Sequence, residues 1–363
     1  MRVRRIFALI TALLLGLTAG CDRLGAPKYQ KYSTQFMGAF DTVFQLVGYA
    51  VSQTEFQRQA DYTQQRFTQL SHQFDRFYEY EGVNSIKTVN DNAGIAPVAV
   101  APVVLDLVDL CRDWYDKTDC QTDISMGAVL SVWHTYMATY RGEENGTLPT
   151  DSELEAAAAL HGMEHIVTDR GAGTLYLDKA GLELDLGAAA KGYAAELVAN
   201  ELVERGFSSF LISAGGNVVS RQPPLDGVRG SWGVGIQDPF ADPNDPSAAS
   251  LDVVFVTGEA VVTSGDYQRF YMADGQRIHH IIDPDTHLPA NYYRGLTVVH
   301  QNSGIADILS TALFCMDYPT GRAFADQHQL KVYWVFPDGS VNYTDALKPQ
   351  LKNAGGASGA LQK

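Results

Sequence analysis

The sequence predicts an α+β fold in which mixed or antiparallel sheets pack against helices. Three observations predict it. Phe56, Ala60, Thr63, Phe67, Leu70, Phe74 and Phe77 recur at alternating steps of four and three, the period of one helix face. Short strand-like runs, among them Val253 to Val256 and Val261 to Val262, look like hairpin strands and not crossover units. Helix and strand patterns do not alternate regularly along the chain, which disfavours a parallel βαβ array.

Taken in order, a polar linker over 21–35 precedes the fold, which begins near Met37 and continues as a strand-like stretch to Val51. Ser52 with Glu55 three residues later reads as a capping box for the aromatic-striped helix, whose stripe is core packing. Helices follow over 102–117, 126–141 and 151–160, with short strands at 166–167 and 174–177. A strand over 182–186 meets the small-residue loop Gly187-Ala188-Ala189-Ala190-Lys191-Gly192. The helix after it runs to Arg205, with Gly206 as its C-terminal cap. A further strand at 210–213 ends in Ala214-Gly215-Gly216-Asn217. Residues 222–229 and 239–250 read as surface loops, and 351–363 as a disordered Gly/Ala/Ser-rich tail. One domain therefore spans 36–350.

The N-terminus indicates a compartment. Arg2, Arg4 and Arg5 precede an apolar run from Ile6 to Leu17, then Thr18-Ala19-Gly20-Cys21. This is a signal peptide over 1–20 with a small-residue cleavage site, and its apolar run is shorter than the roughly 20 residues a membrane span needs. A cysteine directly after the small pair gives the pattern the look of a lipoprotein signal with Cys21 lipidated. The competing reading is a secreted protein with a chance cysteine. Asp22 resembles an inner-membrane retention signal, so the expected location is the periplasmic side of the inner membrane.

Lys and Arg total 27 against 42 Asp and Glu, a net charge of −15. Removing residues 1–20, which carry three cations and no acid, takes −15 to −18. Such an acidic domain excludes nucleic acid as a natural partner. Cys111, Cys120 and Cys315 remain, with no CxxC pair, so a cysteine metal or redox centre has no support. Cys111 and Cys120 suit either a disulfide or two buried thiols.

Four polar clusters carry chemistry. The loop after Leu186 enters a helix and exposes backbone N–H groups that suit phosphate oxygens, with Asp185 before it and Lys191 beside it. Thr263-Ser264-Gly265-Asp266-Tyr267-Gln268-Arg269 packs hydroxyls, a carboxylate and a cation into a turn. His279-His280-Ile281-Ile282-Asp283-Pro284 puts histidines on a strand before a proline turn. Asp307 and Thr311 are four apart on an amphipathic helix, so both oxygens share a face and can hold a hard cation. Each segment alone also fits an ordinary structural role.

The four segments in this order resemble the FAD:protein FMN transferases, the ApbE family. The matching stretches are MGAFDT, TDISMG, ELDLGAAAKGYAAE, ISAGGN, VTSGDYQRF, HHIIDP and ADILSTA, across residues 36–335. The resemblance implies an α+β fold with the flavin site between two sub-domains. It implies that Met37 packs on the flavin or nucleotide, and that Tyr80, or Tyr78 two residues earlier, stacks on an aromatic ring. Asp123, Asp185 and Lys191 are implied to bind FAD, with Ser264, Gly265 and Asp266 lining the flavin site. The Ala188 carbonyl, Asp307 and Thr311 are implied to hold Mg²⁺. His280, with an ordinary pKa near neutrality, would activate an acceptor hydroxyl.

The implied reaction is FMN transfer from FAD to a Thr or Ser of another protein, releasing AMP. The implied acceptors carry D-x-x-[ST]-G-A, with membrane respiratory subunits as the expected partners. This chain lacks that motif and is expected to modify others. Two rivals use the same residues, namely FAD pyrophosphatase chemistry with water as nucleophile and non-catalytic flavin binding. A third pattern, His161-Gly162-Met163-Glu164-His165, matches a zinc-peptidase signature, but Gly162 falls where its helix should end.

Overall fold

Strands buried on both faces build the centre of the molecule, with successive side chains pointing to opposite sides. The computed structural model describes residues 28–242 and 250–359. The chain opens with β1 (Gln30–Ala39), β2 (Thr42–Ala50), α1 (Gln53–Phe74), α2 (Ile86–Asp91), β3 (Val98–Ala99) and α3 (Pro102–Tyr115). Next come α4 (Gly127–Tyr140), α5 (Asp151–Ala158), β4 (Ile166–Asp169), β5 (Thr174–Leu177), α6 (Ala190–Glu204), β6 (Phe210–Ala214) and β7 (Asn217–Ser220). Then follow β8 (Trp232–Gln237), β9 (Ser250–Val256), β10 (Ala260–Gly265), β11 (Phe270–Ala273) and β12 (Gln276–His279). The last elements are β13 (Gly295–His300), α7 (Ser303–Cys315), α8 (Tyr318–Gln327), β14 (Lys331–Val335) and β15 (Val341–Tyr343).

Eight strands form one sheet in the order β1-β2-β6-β7-β10-β13-β14-β15. Every neighbouring pair in it is antiparallel, as the α+β expectation required. Val262, Leu296, Val298, Val332 and Trp334 point to the face covered by α1, α6 and α7. Their sequence neighbours Val261, Val299, Tyr333 and Val335 point to the other face, which the β8–β9 hairpin, Leu347 and Leu351 cover. A separate small core joins α4 and α5 to the β11–β12 hairpin through Trp133, Leu154, Tyr271 and Ile278.

Local signals set several boundaries. Ser52 caps α1 by accepting from Glu55 N at 3.2 Å, while Glu55 reaches back to Val51 N at 3.1 Å. Gly206, at φ +84°, ends α6. The packing of α6 on α7 requires Gly192, where a Cβ would lie 2.3 Å from the Ser303 carbonyl oxygen and 2.6 Å from Asp307 Cβ.

Five expectations are corrected. Residues 30–35 belong to β1 and not to a linker, because they pair with β2 from Gln30↔Ala50 onward. Residues 351–359 are not a loose tail: Leu351 is buried in the second core and Asn353 N donates to Asp252 Oδ1 at 3.1 Å. Residues 182–186 form no strand, since side chains replace a ladder: Asn90 both accepts from Leu184 N at 2.8 Å and donates to its carbonyl at 3.0 Å. Helix α7 is not amphipathic, with only Ile305 and Thr311 escaping burial. Phe77 lies beyond the end of α1 and is 53% exposed, so it leaves the core stripe. Cys111, Cys120 and Cys315 are free thiols. The expected signal peptide over 1–20 and the expected lipidation site Cys21 lie outside the described residues.

Candidate active site

A cavity of about 450 Å³ opens at the seam between α7, the end of β10 and the small core of α4 and β11–β12. It is lined by Asp123, Asp185, Ala188, Lys191, Ser264, Gly265, His280, Asp307 and Thr311, so nine residues singled out from sequence converge there. The size is that of a small-molecule site.

Helix α7 supplies two oxygens. Asn302 caps it by accepting from Ile305 N at 3.0 Å. Asp307 is 5% exposed, and its Oδ2 accepts from Gly192 N at 2.8 Å. Burial raises the Asp307 pKa above the ordinary carboxylate value, and Lys191, the Gly192 N–H and the Asn217 side chain offset this only in part. Thr311, one turn on, stays partly open to the cavity. Ser310 donates to the Asp307 carbonyl at 3.0 Å and pairs with Ser264 Oγ at 2.8 Å, which ties β10 to α7.

The turn before α6 supplies the opposite wall. Asp185 Oδ1 accepts from Gly187 N at 2.7 Å and Oδ2 accepts from Arg76 Nη1 at 2.7 Å. Burial opposes ionisation of Asp185, but Arg76, His134 and these hydrogen bonds together hold its pKa below the usual value. Asp123 accepts from Ser125 N at 2.7 Å and Ser125 Oγ at 2.6 Å, which fixes that turn. The Asp307 carboxylate, the Thr311 hydroxyl and the Ala188 carbonyl offer only oxygens, the donor type a hard cation takes.

The two histidines separate cleanly. His279 is fully buried, its Nε2 bonds the Ala290 carbonyl at 2.9 Å and its Nδ1 accepts from Ile281 N at 3.2 Å, so it is structural. His280 lines the cavity, and its Nδ1 is buried from solvent with no hydrogen-bond partner. Burial first, then His279, Lys191 and Arg269, push its pKa down to about 3. The near-neutral value expected from sequence is thus corrected: the imidazole is uncharged at any ordinary pH, the form that accepts a proton.

Asp266, Met37 and Tyr80, with its alternative Tyr78, are not brought to the cavity wall. Asp266 is fully buried and spends both oxygens on Arg277, at 3.0 Å, and on Arg294. Tyr80 stacks on His72 with ring centroids 3.8 Å apart and donates to Asp75 at 2.6 Å. Tyr78 is exposed and also absent from the wall. Met37 stands 74% exposed on the β1–β2 hairpin, whose tip residues Asp41 and Thr42 do line the cavity. Aromatic rings on the wall come instead from Phe77 and Tyr267.

Sequence reasoning missed Arg76, His134, Arg141 and Phe77. No motif marks them; only an Arg between two stripe phenylalanines, where the apolar pattern should continue, could have signalled a buried ion pair. The His161–His165 pattern forms no metal site: Met163–His165 is a 3-10 turn, and His165 Nδ1 bonds Asp178 Oδ1 at 2.7 Å. Among the described residues, no group of three His, Cys, Asp or Glu side chains gathers for a metal.

Residues 40–334 match the model of the ApbE family. The FAD:protein FMN transferase of Klebsiella pneumoniae is 30% identical over 68% of this chain and 72% of its own length. That of Escherichia coli is 27% identical over 82% of each chain. The crystal structure of the ApbE protein of Thermotoga maritima superposes with a TM-score of 0.75 at 26% identity, covering 88% of this chain and 99% of that one. The flavin transferase ApbE of Vibrio cholerae, 24% identical, shares the fold at a TM-score of 0.72, over 88% of this chain and 100% of its own. With four-fifths of its length matched by the family model, this chain belongs to the ApbE family.

Proposed function

We propose that the chain transfers FMN from FAD to a Thr or Ser hydroxyl of an acceptor protein, releasing AMP, with Mg²⁺ at the site. The observation that carries this is one cavity wall shared by a buried carboxylate, Lys191 and an uncharged His280. The names of the curated relatives, FAD:protein FMN transferase, support the same reading.

Asp307, Thr311 and the Ala188 carbonyl would hold Mg²⁺, which would neutralise pyrophosphate charge and favour departure of AMP. Lys191 adds a fixed cation for the phosphates, beside the N-terminus of α6. The acceptor oxygen forms a bond to the FMN phosphorus as the phosphorus–oxygen bond to AMP breaks. His280 takes the hydroxyl proton. A nearby phosphate anion raises the basicity of this imidazole once FAD is bound.

The acceptors would carry D-x-x-[ST]-G-A, with membrane respiratory subunits as the expected class. Lipidated Cys21 would tether the enzyme on the periplasmic side of the inner membrane, which places it beside such partners.

The test is intact-mass analysis of an acceptor fragment with that motif, incubated with residues 22–363, FAD and Mg²⁺. A mass gain of one FMN on the fragment, abolished by EDTA, is the predicted result. Free FMN and AMP with an unmodified fragment would assign a pyrophosphatase instead, and unchanged FAD would leave a flavin binder.

A further inference from the structure

Arg76 lies just beyond α1, is 8% exposed and spreads one guanidinium over four acceptors. Its Nη1 donates to Asp185 Oδ2 at 2.7 Å. Its Nη2 donates to the Gly127 carbonyl at 3.0 Å, and also to Ser131 and Glu183. The group therefore bolts the start of α4 to the segment that leads into the turn before α6.

The second Asp185 oxygen is also committed, accepting from Gly187 N at 2.7 Å. Gly187 directly precedes Ala188, and a Cβ on it would lie 2.8 Å from Asp185 Oδ1. Both carboxylate oxygens are thus used inside the protein, and the chain of contacts runs Arg76, Asp185, Gly187, Ala188.

We propose that Arg76 is a positioning residue that, through Asp185 and Gly187, aims the Ala188 carbonyl and so sets the affinity of the cavity for a divalent cation. The proposal rests on the Mg²⁺ reading above and adds the residue that tunes it. A carboxylate aligned by a buried forked cation is a rigid support, and outer-shell supports of this kind control metal affinity by about 10–100-fold. Lysine could keep the charge, but a single ammonium cannot span the fork.

The experiment titrates Mg²⁺ into the full mature chain, following the thermal midpoint, and separately measures FAD binding without metal by flavin fluorescence. Wild type, Arg76→Lys and Gly187→Ala are compared. The second variant crowds the same oxygen from an exposed turn and leaves Arg76 in place. Both variants are expected to need about tenfold more Mg²⁺ for the half-maximal shift, and in Arg76→Lys the metal-free FAD affinity should change less than about threefold. A folded Arg76→Lys with unchanged Mg²⁺ response overturns the proposal, as does Gly187→Ala with the wild-type response. Equal loss of metal-free FAD affinity also overturns it, since Arg76 would then act on the substrate or on the whole fold. A wild-type chain that shows no Mg²⁺ response sinks the metal reading itself, and is seen before any variant is compared.

Discussion

Gly192→Ala is the substitution whose effect the structure specifies most fully. A Cβ there would meet the Ser303 carbonyl oxygen at 2.3 Å, and contacts below 3.0 Å are essentially never found, so α6 and α7 must part by at least 0.7 Å at this point. The neighbour is backbone and cannot swing aside. The same movement stretches the 2.8 Å bond from Gly192 N to Asp307 Oδ2 beyond useful length. Overpacking of this kind costs about 1–3 kcal/mol, and loss of a hydrogen bond to a buried carboxylate adds roughly 1.5–3 kcal/mol. The predicted destabilisation is therefore about 2.5–6 kcal/mol, measured by urea unfolding of the mature chain. Because Asp307 rides on α7, FMN transfer should fall with it, even at temperatures where the variant is folded. Gly206→Ala is the control: nothing lies within 4 Å of its Cβ, so only the φ of +84° is strained. It should cost about 1–2 kcal/mol and leave transfer by the folded protein unchanged. A Gly192→Ala protein within about 0.5 kcal/mol of wild type and fully active would refute this account of the α6–α7 contact.

Three further outcomes are expected. Asp307→Asn should raise the thermal midpoint of the metal-free protein at pH 7 while abolishing Mg²⁺-dependent transfer. The sign follows from linkage: burial raises the Asp307 pKa in the folded state, so the folded protein keeps a proton that the unfolded chain releases, and stability falls as pH rises through that range. Lower midpoint in the variant would mean that the carboxylate stabilises the metal-free fold. The acid limb of kcat/KM should show no histidine-like step between pH 5 and 8, because burial pushes the His280 pKa well below its ordinary value. A limb near pH 6.5 that disappears in His280→Gln would contradict that assignment. Cys21→Ser should release the protein from membranes into the periplasmic soluble fraction, and membrane retention of the variant would remove the lipid anchor.

Much of the site was legible because its groups lie in short contiguous motifs. Asp307 and Thr311 share a helix face by spacing alone, and Gly187 to Lys191 announce a loop that enters a helix. Pairing between distant segments was not legible. Asp266 belongs to a motif that lines the cavity, yet Arg277 and Arg294, 11 and 28 residues away, bury it. Tyr80 is turned from the cavity by His72 and Asp75, and Phe77 is freed for it because α1 stops at Phe74 while the apolar pattern continues. The strand expected over 182–186 failed for a related reason: Asn90 satisfies Leu184 from a helix that local sequence does not connect with it.

The central claim is that His280 takes the acceptor proton while His279 beside it is only structural. The direct measurement is single-turnover FMN transfer to the acceptor fragment by His280→Ala, with FAD affinity determined on the same preparation. FAD affinity within about threefold of wild type and transfer slowed by about 10²–10⁴ is the result this account predicts. Transfer at the wild-type rate by a folded, FAD-binding His280→Ala would contradict it.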